Sequence, residues 1–258
     1  MSGVGQTIIQ PAYEPLLRSL DFTPAWVFSS ERVVVWRKLE DRENCTIDAA
    51  WPDGRAVRLH VKRYPARWAA CAENEATALT ELRRHSIPCA SLVASGRLAD
   101  GRAFVMTEDL VGFVPADKLI AAGESFDRIS ATTAELAARL HSAGFHHRDL
   151  YLCHFMVRPG DDKPEVRLID AARVRRLPPW PLRNRWIVKD LAQFWYSATQ
   201  LAITDAQREL WLEGYVRFAG SVSARIPRSA VIAKARRIAA HDVNLNRRQP
   251  TRHFSIPS

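Results

Sequence analysis

The pattern of the chain changes from strand-like to helix-like before its midpoint, and this change limits the folds that it can adopt. Three segments rich in β-branched and aromatic residues come first, and the turn Pro52–Gly54 joins the second to the third. A helix and two more strands complete this half. These elements are predicted at Arg32–Trp36, Cys45–Trp51, Val57–Tyr64 and Trp68–His85, with the last two strands flanking Gly96 and Gly101.

The second half predicts helices around one β-hairpin. The helix Phe126–Ser142 repeats apolar residues at helical spacing and stops before Gly144, a residue suited to a helix end. A strand-rich half followed by a helical half predicts an α+β fold of two lobes with a cleft between them, crossing over near Glu108–Gly112. The other elements are predicted at His154–Val157 and Val166–Ile169 (the hairpin strands), and at Lys189–Leu201, Asp205–Phe218 (behind a Thr204–Gln207 capping box) and Arg228–His241 (helices).

Two aspartates and one lysine carry the chemical signal. Asp149 ends an HRD tripeptide between a long helix and a hairpin, where a carboxylate can position an acceptor hydroxyl and take its proton. Asp170 follows the next strand, where it would hold Mg²⁺ against nucleotide phosphates. Lys62 lies on the polar side of its strand and can clasp the α and β phosphates. Together these residues point to phosphoryl transfer from ATP.

Each of these residues has a plainer interpretation. Asp149 could stabilise a turn, Asp170 could end a strand, and Lys62 could be a solvated lysine on an edge strand. Similarly, the histidines near the HRD tripeptide could suggest zinc, but their spacing is irregular. The order of the residues, each on the expected secondary structure, favours the chemical interpretation.

A helix carboxylate is expected to fix the rotamer of Lys62. Glu73 and Glu75 lie about 200° apart around the predicted helix, so only one of them can face the lysine. We predict Glu75, because it lies closer to the apolar side of the helix that Ala76 and Leu79 define.

The order of strand lysine, helix glutamate, HRD, hairpin and aspartate resembles the signature of protein-kinase-like enzymes. A narrower resemblance covers Ala143–Phe155, which is similar to the catalytic loop of the lipopolysaccharide core kinases, the family of Kdo kinases and core heptose kinases. This resemblance implies two lobes. Residues 1–109 would form a small nucleotide-binding lobe that consists of an antiparallel sheet and one helix, and residues 110–258 a mainly helical lobe for catalysis and substrate binding. Supporting segments are Glu73–Glu75, Met106–Leu110, Leu168–Asp170 with Arg173, and Lys189–Leu191.

The resemblance implies roles for further residues. It adds Arg148 to the catalytic candidates and Glu108, in the crossover stretch, to the ATP-binding candidates. It also prefers Glu75 to Glu73 as the partner of Lys62. Asp190 would anchor the catalytic loop from below, although a position near the start of its predicted helix also suits a carboxylate that merely complements the helix dipole.

Two features depart from the protein-kinase pattern. Protein kinases place an asparagine five residues after the HRD aspartate as a second metal ligand, and His154 stands there instead, as the narrower family resemblance predicts. Imidazole suits Mg²⁺ poorly, so His154 is a weaker metal candidate than Asp170. The loop Arg37–Glu43 contains no glycine, so Arg37, Lys38 or Arg42 is expected to supply charge toward the phosphates.

The positive charge of the chain is concentrated at its C-terminal end. Of a formal net charge of +9, residues 223–258 contribute eight lysine or arginine residues against the single acidic residue Asp242, a balance of +7. Such a segment can contact nucleic acid, anionic headgroups or a phosphorylated substrate, and it can equally be a solvated helix face with a frayed tail. Nucleic acid is not expected, because Phe254 is the only aromatic residue after Ser223.

The resemblance implies transfer of the γ-phosphate of ATP, with Mg²⁺, to a heptose or Kdo hydroxyl of the lipopolysaccharide core or a related glycolipid. We expect a cytoplasmic protein, peripheral on the inner face of the inner membrane, because no signal sequence or spanning apolar run is evident. The alternatives are a kinase that acts on a protein or a small metabolite, a catalytically silent scaffold that binds nucleotide, and a nucleic-acid-binding module. The presence of Lys62, Asp149 and Asp170 argues against the silent scaffold.

Overall fold

The structure is a computed structural model that describes residues 7–160, 163–220 and 226–248. These residues form two compact units. The first unit runs to Arg84 and also takes in Cys89–Val111 and Asp170–Arg173, and the second contains the other described residues. Asp170 therefore belongs to the same unit as Lys62, although 108 positions separate the two along the chain.

A six-stranded antiparallel sheet is the frame of the first unit, with the spatial order β1-β5-β6-β4-β3-β2. Its strands are β1 (Thr7–Ile9), β2 (Val34–Lys38), β3 (Glu43–Ala50), β4 (Ala56–Tyr64), β5 (Leu92–Arg97) and β6 (Ala103–Glu108). Its helices are α1 (Glu14–Ser19), α2 (Trp26–Ser29) and α3 (Ala69–Arg84). The five strands and the helix predicted for this half are present, with ends that differ by a few residues.

The strand β4 lies inside the sheet, hydrogen-bonded to β3 on one side and to β6 on the other. Val57, Leu59 and Val61 are buried on one of its faces, as the alternation of side chains predicts. Lys62 points to the opposite face. The alternative that Lys62 is a lysine on an edge strand is therefore wrong.

The helix α3 turns one of its two candidate glutamates inward. Its apolar stripe, with Ala76 and Leu79, is buried, and Glu75 is only 3% exposed beside that stripe. Glu73 lies on the outer side, where it forms an ion pair with Arg97 at 3.2 Å. The choice of Glu75 over Glu73 as the inward-facing residue is confirmed.

The residues before β2 form elements for which the sequence analysis made no prediction. A 3-10 turn at Pro11–Tyr13 leads into α1, and α2 follows. Leu16, Leu17 and Val27 are buried in one core cluster together with the apolar face of β3 and β4. These helices are only 6 and 4 residues long, which is too short for a helical repeat to stand out in the sequence.

The second unit is mainly helical, and small antiparallel pairings join its strands. Its helices are α4 (Ala116–Ala121), α5 (Phe126–Ser142), α6 (Leu182–Ala198), α7 (Asp205–Ala219) and α8 (Arg228–Arg248). Its strands are β7 (Val114–Pro115), β8 (Phe145–His146), β9 (Phe155–Arg158), β10 (Glu165–Leu168) and β11 (Arg175–Arg176). The predicted bounds of α5 are confirmed, as is the capping box of Thr204 and Gln207 at the start of α7.

Two helix predictions in this unit were wrong in their bounds. The helix α6 begins at Leu182, seven residues before the predicted start at Lys189, and α8 continues to Arg248, beyond the predicted end at His241. Pro181 occupies the N-cap position of α6, where the missing N–H of proline breaks no intrahelical hydrogen bond, so the helix can begin directly after it. Asp190 consequently lies in the middle of α6, and the helix-start alternative for this residue is wrong. Arg225 and Arg252 lie outside the described residues.

None of the described helices is both long enough and apolar enough to cross a bilayer.

Candidate active site

Lys62, Glu75 and Asp170 form one ion-paired group in the first unit. The Nζ atom of Lys62 lies 2.7 Å from Oε1 of Glu75 and 2.7 Å from Oδ1 of Asp170. The hydroxyl of Tyr64 donates to Oε2 of Glu75 at 3.2 Å, so both oxygens of this carboxylate are engaged. The central strand β4, the helix α3 and the loop after β10 thus bring three sequence-predicted residues together.

The charges of this group depend on one another. Burial alone would lower the pKa of Lys62, but the carboxylates of Asp170 and Glu75 outweigh burial and raise it, so the ammonium stays charged. Burial raises the pKa of Glu75, against the opposing pull of Lys62. The side chain of Asp170 is 29% exposed, whereas that of Glu75 is 4% exposed. Asp170 is therefore the carboxylate that a metal ion can reach, and its oxygen atoms are the hard donors that Mg²⁺ prefers.

The turn between β2 and β3 is short and contains no glycine. The amide of Leu39 donates to the carbonyl of Arg42 at 2.8 Å, and Lys38 forms an ion pair with Glu43 at 2.9 Å. The side chain of Lys38 is 77% exposed, and Arg37 is half-buried on β2. A turn of this kind supplies side-chain cations rather than a cradle of backbone amides.

Arg42 is the cation of this turn that interacts electrostatically with Asp170. Burial opposes the charge of its guanidinium, but Asp170, Tyr64 and Asp41 outweigh burial and raise its pKa. The guanidinium also donates to Asp41 at 2.8 Å and to Asn44 at 3.3 Å, which fixes its direction. Of the three cations proposed for this loop, the structure thus brings Arg42 into electrostatic contact with the ion-paired group.

Glu108 ends β6 and is the first residue of the predicted crossover stretch. Its Oε2 atom accepts a hydrogen bond from the hydroxyl of Tyr13. Burial, followed by this hydrogen bond and the charge of Glu108, raises the pKa of Tyr13 to about 12. Tyr13, in the N-terminal segment, therefore helps to fix the side chain of Glu108.

The buried carboxylate of Asp190 holds the loop that carries Asp149 through hydrogen bonds to its backbone. Oδ2 of Asp190 accepts from the amide of His147 at 2.6 Å, and Oδ1 accepts from the amide of Arg148 at 2.8 Å. His141 lies 3.2 Å from the same carboxylate. Burial opposes ionisation of Asp190, but hydrogen bonds from His141 and the His147 amide keep its pKa below the ordinary value. Asp190 therefore anchors the loop as an ionised group.

The anchor offsets a strained backbone. Arg148 has φ = +72°, in the left-handed region that L residues other than glycine seldom adopt, at a cost of roughly 1–3 kcal/mol. The helix α6 adds two donors to the carbonyl of Arg148: Nζ of Lys189 at 2.9 Å and Nε2 of Gln193 at 2.7 Å. The guanidinium of Arg148 stacks on Trp186, 4.9 Å from the ring centroid. Both backbone polar groups of Arg148, the residue before Asp149, are thus hydrogen-bonded.

His154 reinforces the same loop. Its Nδ1 atom lies 2.5 Å from the carbonyl oxygen of Asp149, and its ring stacks on His147 at 5.7 Å. Because a carbonyl only accepts, Nδ1 carries the proton, and Nε2 is the only nitrogen of His154 that could bind a metal. Nε2 of His147 lies 3.1 Å from the carbonyl of Ile169, in agreement with a structural role. Among the described residues, no three His, Cys, Asp or Glu side chains gather closely enough to hold a metal ion by themselves.

Sequence reasoning missed several residues of the site. Gln193 lies three positions after Asp190 and so on the same face of α6, a spacing that could have suggested its contact with the loop. Trp186 carried no signal, because the segment before Lys189 was not predicted as helix. Tyr64 ends β4 and could not be linked to Glu75 without the tertiary structure.

The chain is similar to known proteins over most of its length. Residues 25–215 match the lipopolysaccharide kinase (Kdo/WaaP) family. A lipopolysaccharide core heptose(I) kinase WaaP of Pseudomonas aeruginosa is 27% identical over 213 residues, 71% of this chain and 76% of that protein. A protein of the same name from Escherichia coli is 27% identical over 212 residues, 72% of this chain and 77% of that protein.

Two solved structures share the fold. The aminoglycoside-3'-phosphotransferase of type VIII has a TM-score of 0.56 at 17% identity, covering 88% of this chain and 98% of that chain. The aminoglycoside phosphotransferase APH(3'')-Id from Streptomyces rimosus has a TM-score of 0.54 at 15% identity, covering 84% and 95%. The predicted α+β, protein-kinase-like fold is confirmed by these likenesses.

Proposed function

Because this chain belongs to the lipopolysaccharide kinase (Kdo/WaaP) family and is a kinase, we propose that it transfers the γ-phosphate of ATP to a sugar hydroxyl of the lipopolysaccharide inner core, on a heptose or a Kdo residue. The observation that carries this proposal is the assembled group of Lys62, Glu75 and Asp170, with the Lys62 ammonium 2.7 Å from both carboxylates. The curated relatives, which are named core heptose(I) kinases, favour heptose as the acceptor sugar.

In this proposal the first unit binds the nucleotide. Lys62 contacts the α and β phosphates, and Glu75 fixes the lysine rotamer through the ion pair already present. Arg42, together with Arg37 and Lys38 at the end of β2, supplies further positive charge toward the phosphates. Glu108 lies at the end of β6, where the adenine base of ATP would bind. Residues 1–109 are accordingly the proposed nucleotide-binding lobe, and residues 110–258 the catalytic and substrate lobe.

Asp170 is the proposed ligand of Mg²⁺. When bound, Mg²⁺ neutralises phosphate charge, and it is usually held by one or two carboxylates together with the phosphates themselves. The partly exposed carboxylate of Asp170 fits that requirement. His154 is the weaker candidate, because its Nδ1 atom is committed to the Asp149 carbonyl and imidazole is a softer ligand.

Asp149 acts on the acceptor in this scheme. Its carboxylate would accept a hydrogen bond from the sugar hydroxyl and take the proton as the oxygen attacks the γ-phosphorus. Nε2 of Gln193 lies 3.5 Å from Oδ1 of Asp149, so α6 limits where the carboxylate can point. Arg148 contributes by holding the loop through its stack on Trp186.

The proposed acceptor is membrane-borne, which places the reaction at the cytoplasmic face of the inner membrane with the protein bound peripherally. The basic helix α8 fits such a location: Arg236, Arg237 and Arg247 are exposed along it. Anionic lipid attracts cations of this kind by about 1 kcal/mol each.

The test is phosphorylation of defined acceptors with labelled ATP and Mg²⁺. Dephosphorylated lipopolysaccharide, its deacylated core oligosaccharide, a general protein substrate and an aminoglycoside would be compared. We expect label in both core acceptors, and fragment masses would assign it to heptose or Kdo.

Two lysine variants provide the control. Lys62→Met should abolish labelling, whereas Lys163→Met, at a side chain 67% exposed and paired with Glu135, should leave it unchanged. Labelling of the protein or the aminoglycoside but of neither core acceptor would overturn the proposed substrate. A Lys62→Met variant as active as the wild type would overturn the proposed nucleotide site.

A further inference from the structure

Residues 174–189 form a basic stretch of the second unit, of which Trp186 and Lys189 contact the catalytic loop in the phosphate-transfer scheme. The stretch contains no aspartate or glutamate. Its five cations are Arg175, Arg176, Arg183, Arg185 and Lys189. Arg176 lies over the Phe145 ring, 5.0 Å from its centroid, and Arg183 donates to the His141 carbonyl at 3.3 Å.

Large apolar side chains stand exposed among these cations. Trp180 is 68% exposed and Leu182 is 56% exposed. Arg176 and Arg185 are exposed on either side of them along the chain. Tryptophan flanked by arginine is the combination that favours the interface of a bilayer, where the indole meets the headgroups and the cations meet lipid phosphates. We call Arg175–Arg185 the docking segment.

The docking segment is tied to the loop that carries Asp149. Arg175 pairs with His146 in the β11–β8 ladder, and Asp149 follows His146 by three residues. Paired residues have Cα atoms about 5 Å apart, and three residues span at most about 11 Å. The Cα atoms of Arg175 and Asp149 are therefore no more than about 16 Å apart. Just beyond the segment, Trp186 stacks on Arg148 at 4.9 Å.

We propose that the docking segment seats the protein on the surface of a bilayer that contains anionic phospholipid, with Trp180 and Leu182 at the headgroup level. The proposal rests on the proposed function, because a bilayer that contacts the segment beginning at Arg175, whose Cα atom is within about 16 Å of that of Asp149, would present an acceptor sugar that lies close to its lipid. This contact is separate from α8, which carries basic residues elsewhere in the chain. The docking segment couples membrane contact to the catalytic loop itself.

The experiment uses two variants of the docking segment in the full chain. The apolar variant combines Trp180→Gln with Leu182→Gln, and the charge variant combines Arg176→Gln with Arg185→Gln. Each is sedimented with phosphatidylglycerol–phosphatidylcholine vesicles and with phosphatidylcholine vesicles. We expect both variants to partition at least about tenfold less onto the anionic vesicles: the charge variant because each cation near such a surface contributes about fivefold, and the apolar variant because it loses the two large side chains at the headgroup level. Brominated lipid should quench wild-type fluorescence more than that of Trp180→Phe.

A matched control variant, Leu210→Gln with Arg217→Gln, changes exposed residues of α7, where Leu210 is 62% exposed. It should bind both kinds of vesicle like the wild type. Phosphorylation is then measured on lipopolysaccharide in anionic vesicles and on the deacylated core oligosaccharide. For both docking variants we expect kcat/KM to fall about tenfold on the vesicle-borne acceptor and to stay within twofold on the deacylated one.

The outcomes separate the proposals. Vesicle binding by both docking variants equal to that of the wild type would overturn the docking segment, whatever the acceptor proves to be. An equal loss of activity on both acceptors would also overturn it, because the residues would then serve the catalytic loop and not membrane contact. If wild type phosphorylates neither acceptor, the proposed function fails, and the vesicle and quenching data still decide the docking segment by themselves.

Discussion

The substitution Asp190→Asn tests how the catalytic loop is held. Both oxygens of Asp190 accept from backbone amides, one from His147 at 2.6 Å and the other from Arg148 at 2.8 Å. Asparagine has nearly the same shape, but only one of its two terminal atoms can accept. Whichever way its amide is turned, the NH₂ group meets a backbone N–H, so one buried donor loses its partner.

The size of the effect follows from these contacts. A buried N–H left unsatisfied costs about 1–3 kcal/mol, and a hydrogen bond to a charged acceptor contributes about 1.5–3 kcal/mol. We expect a loss of about 2–4 kcal/mol in the free energy of unfolding at neutral pH. Because the folded pKa of Asp190 is lowered, its contribution is present above the unfolded pKa near 4 and is lost as the pH falls through the folded pKa. The difference in the free energy of unfolding between wild type and Asp190→Asn should therefore become smaller only at acidic pH.

The Asp190→Asn variant should also lose activity under conditions in which it is fully folded. Without its anchor, Arg148 can relax from φ = +72°, and a shift of about 1 Å in a catalytic group costs roughly a hundredfold in rate. Urea unfolding followed by circular dichroism measures the stability, and labelled phosphate transfer, at a temperature where both proteins are folded, measures the activity. ATP affinity should change by no more than a few-fold.

The control is Asp205→Asn at the start of α7, where the carboxylate is 89% exposed. This variant should lose less than about 1 kcal/mol and keep its activity. An Asp190→Asn protein within about 1 kcal/mol of wild type, with turnover within a few-fold, would show that the carboxylate does not anchor the loop.

Three further outcomes are expected. Asp149→Ala should abolish phosphate transfer while calorimetry shows ATP affinity nearly unchanged, because this residue addresses the acceptor; turnover within a few-fold of wild type would contradict the role. Asp170→Asn should remove the Mg²⁺ dependence of nucleotide binding, and calorimetry that finds the same dependence as in wild type would mean that the metal lies elsewhere. Changing the exposed basic residues of α8 to glutamine should weaken co-sedimentation with anionic vesicles, most of all at low salt, without changing turnover on a deacylated acceptor; equal binding at every salt concentration would make this helix a solvated surface. The residues to change are Arg236, Arg237 and Arg247.

Local rules determined a large part of the fold. Alternation along β4 set which face of the strand carries Lys62, and helical spacing on α3 selected Glu75 over Glu73, because both patterns depend only on backbone periodicity and on which side is buried. The bounds of α5 followed from its apolar repeat and from Gly144, which adopts φ = +84° just past the helix. The predicted start of α6 at Lys189 was wrong, and Pro181 at the N-cap position is compatible with the helix that begins at Leu182.

The sequence determined which residue types are present and in what order, and this was enough to indicate phosphoryl transfer. Only the tertiary structure decided which of them meet. Asp170 reaches Lys62 across 108 positions, and Asp190 reaches the amides of His147 and Arg148 across more than 40. Such contacts depend on how sheet, helices and loops pack together, and no periodicity encodes a distance between residues so far apart in the chain. For the same reason the charge count drew attention to the C-terminal segment, while the exposure of Trp180, and the pairing of nearby Arg175 with His146, emerged only from the folded chain.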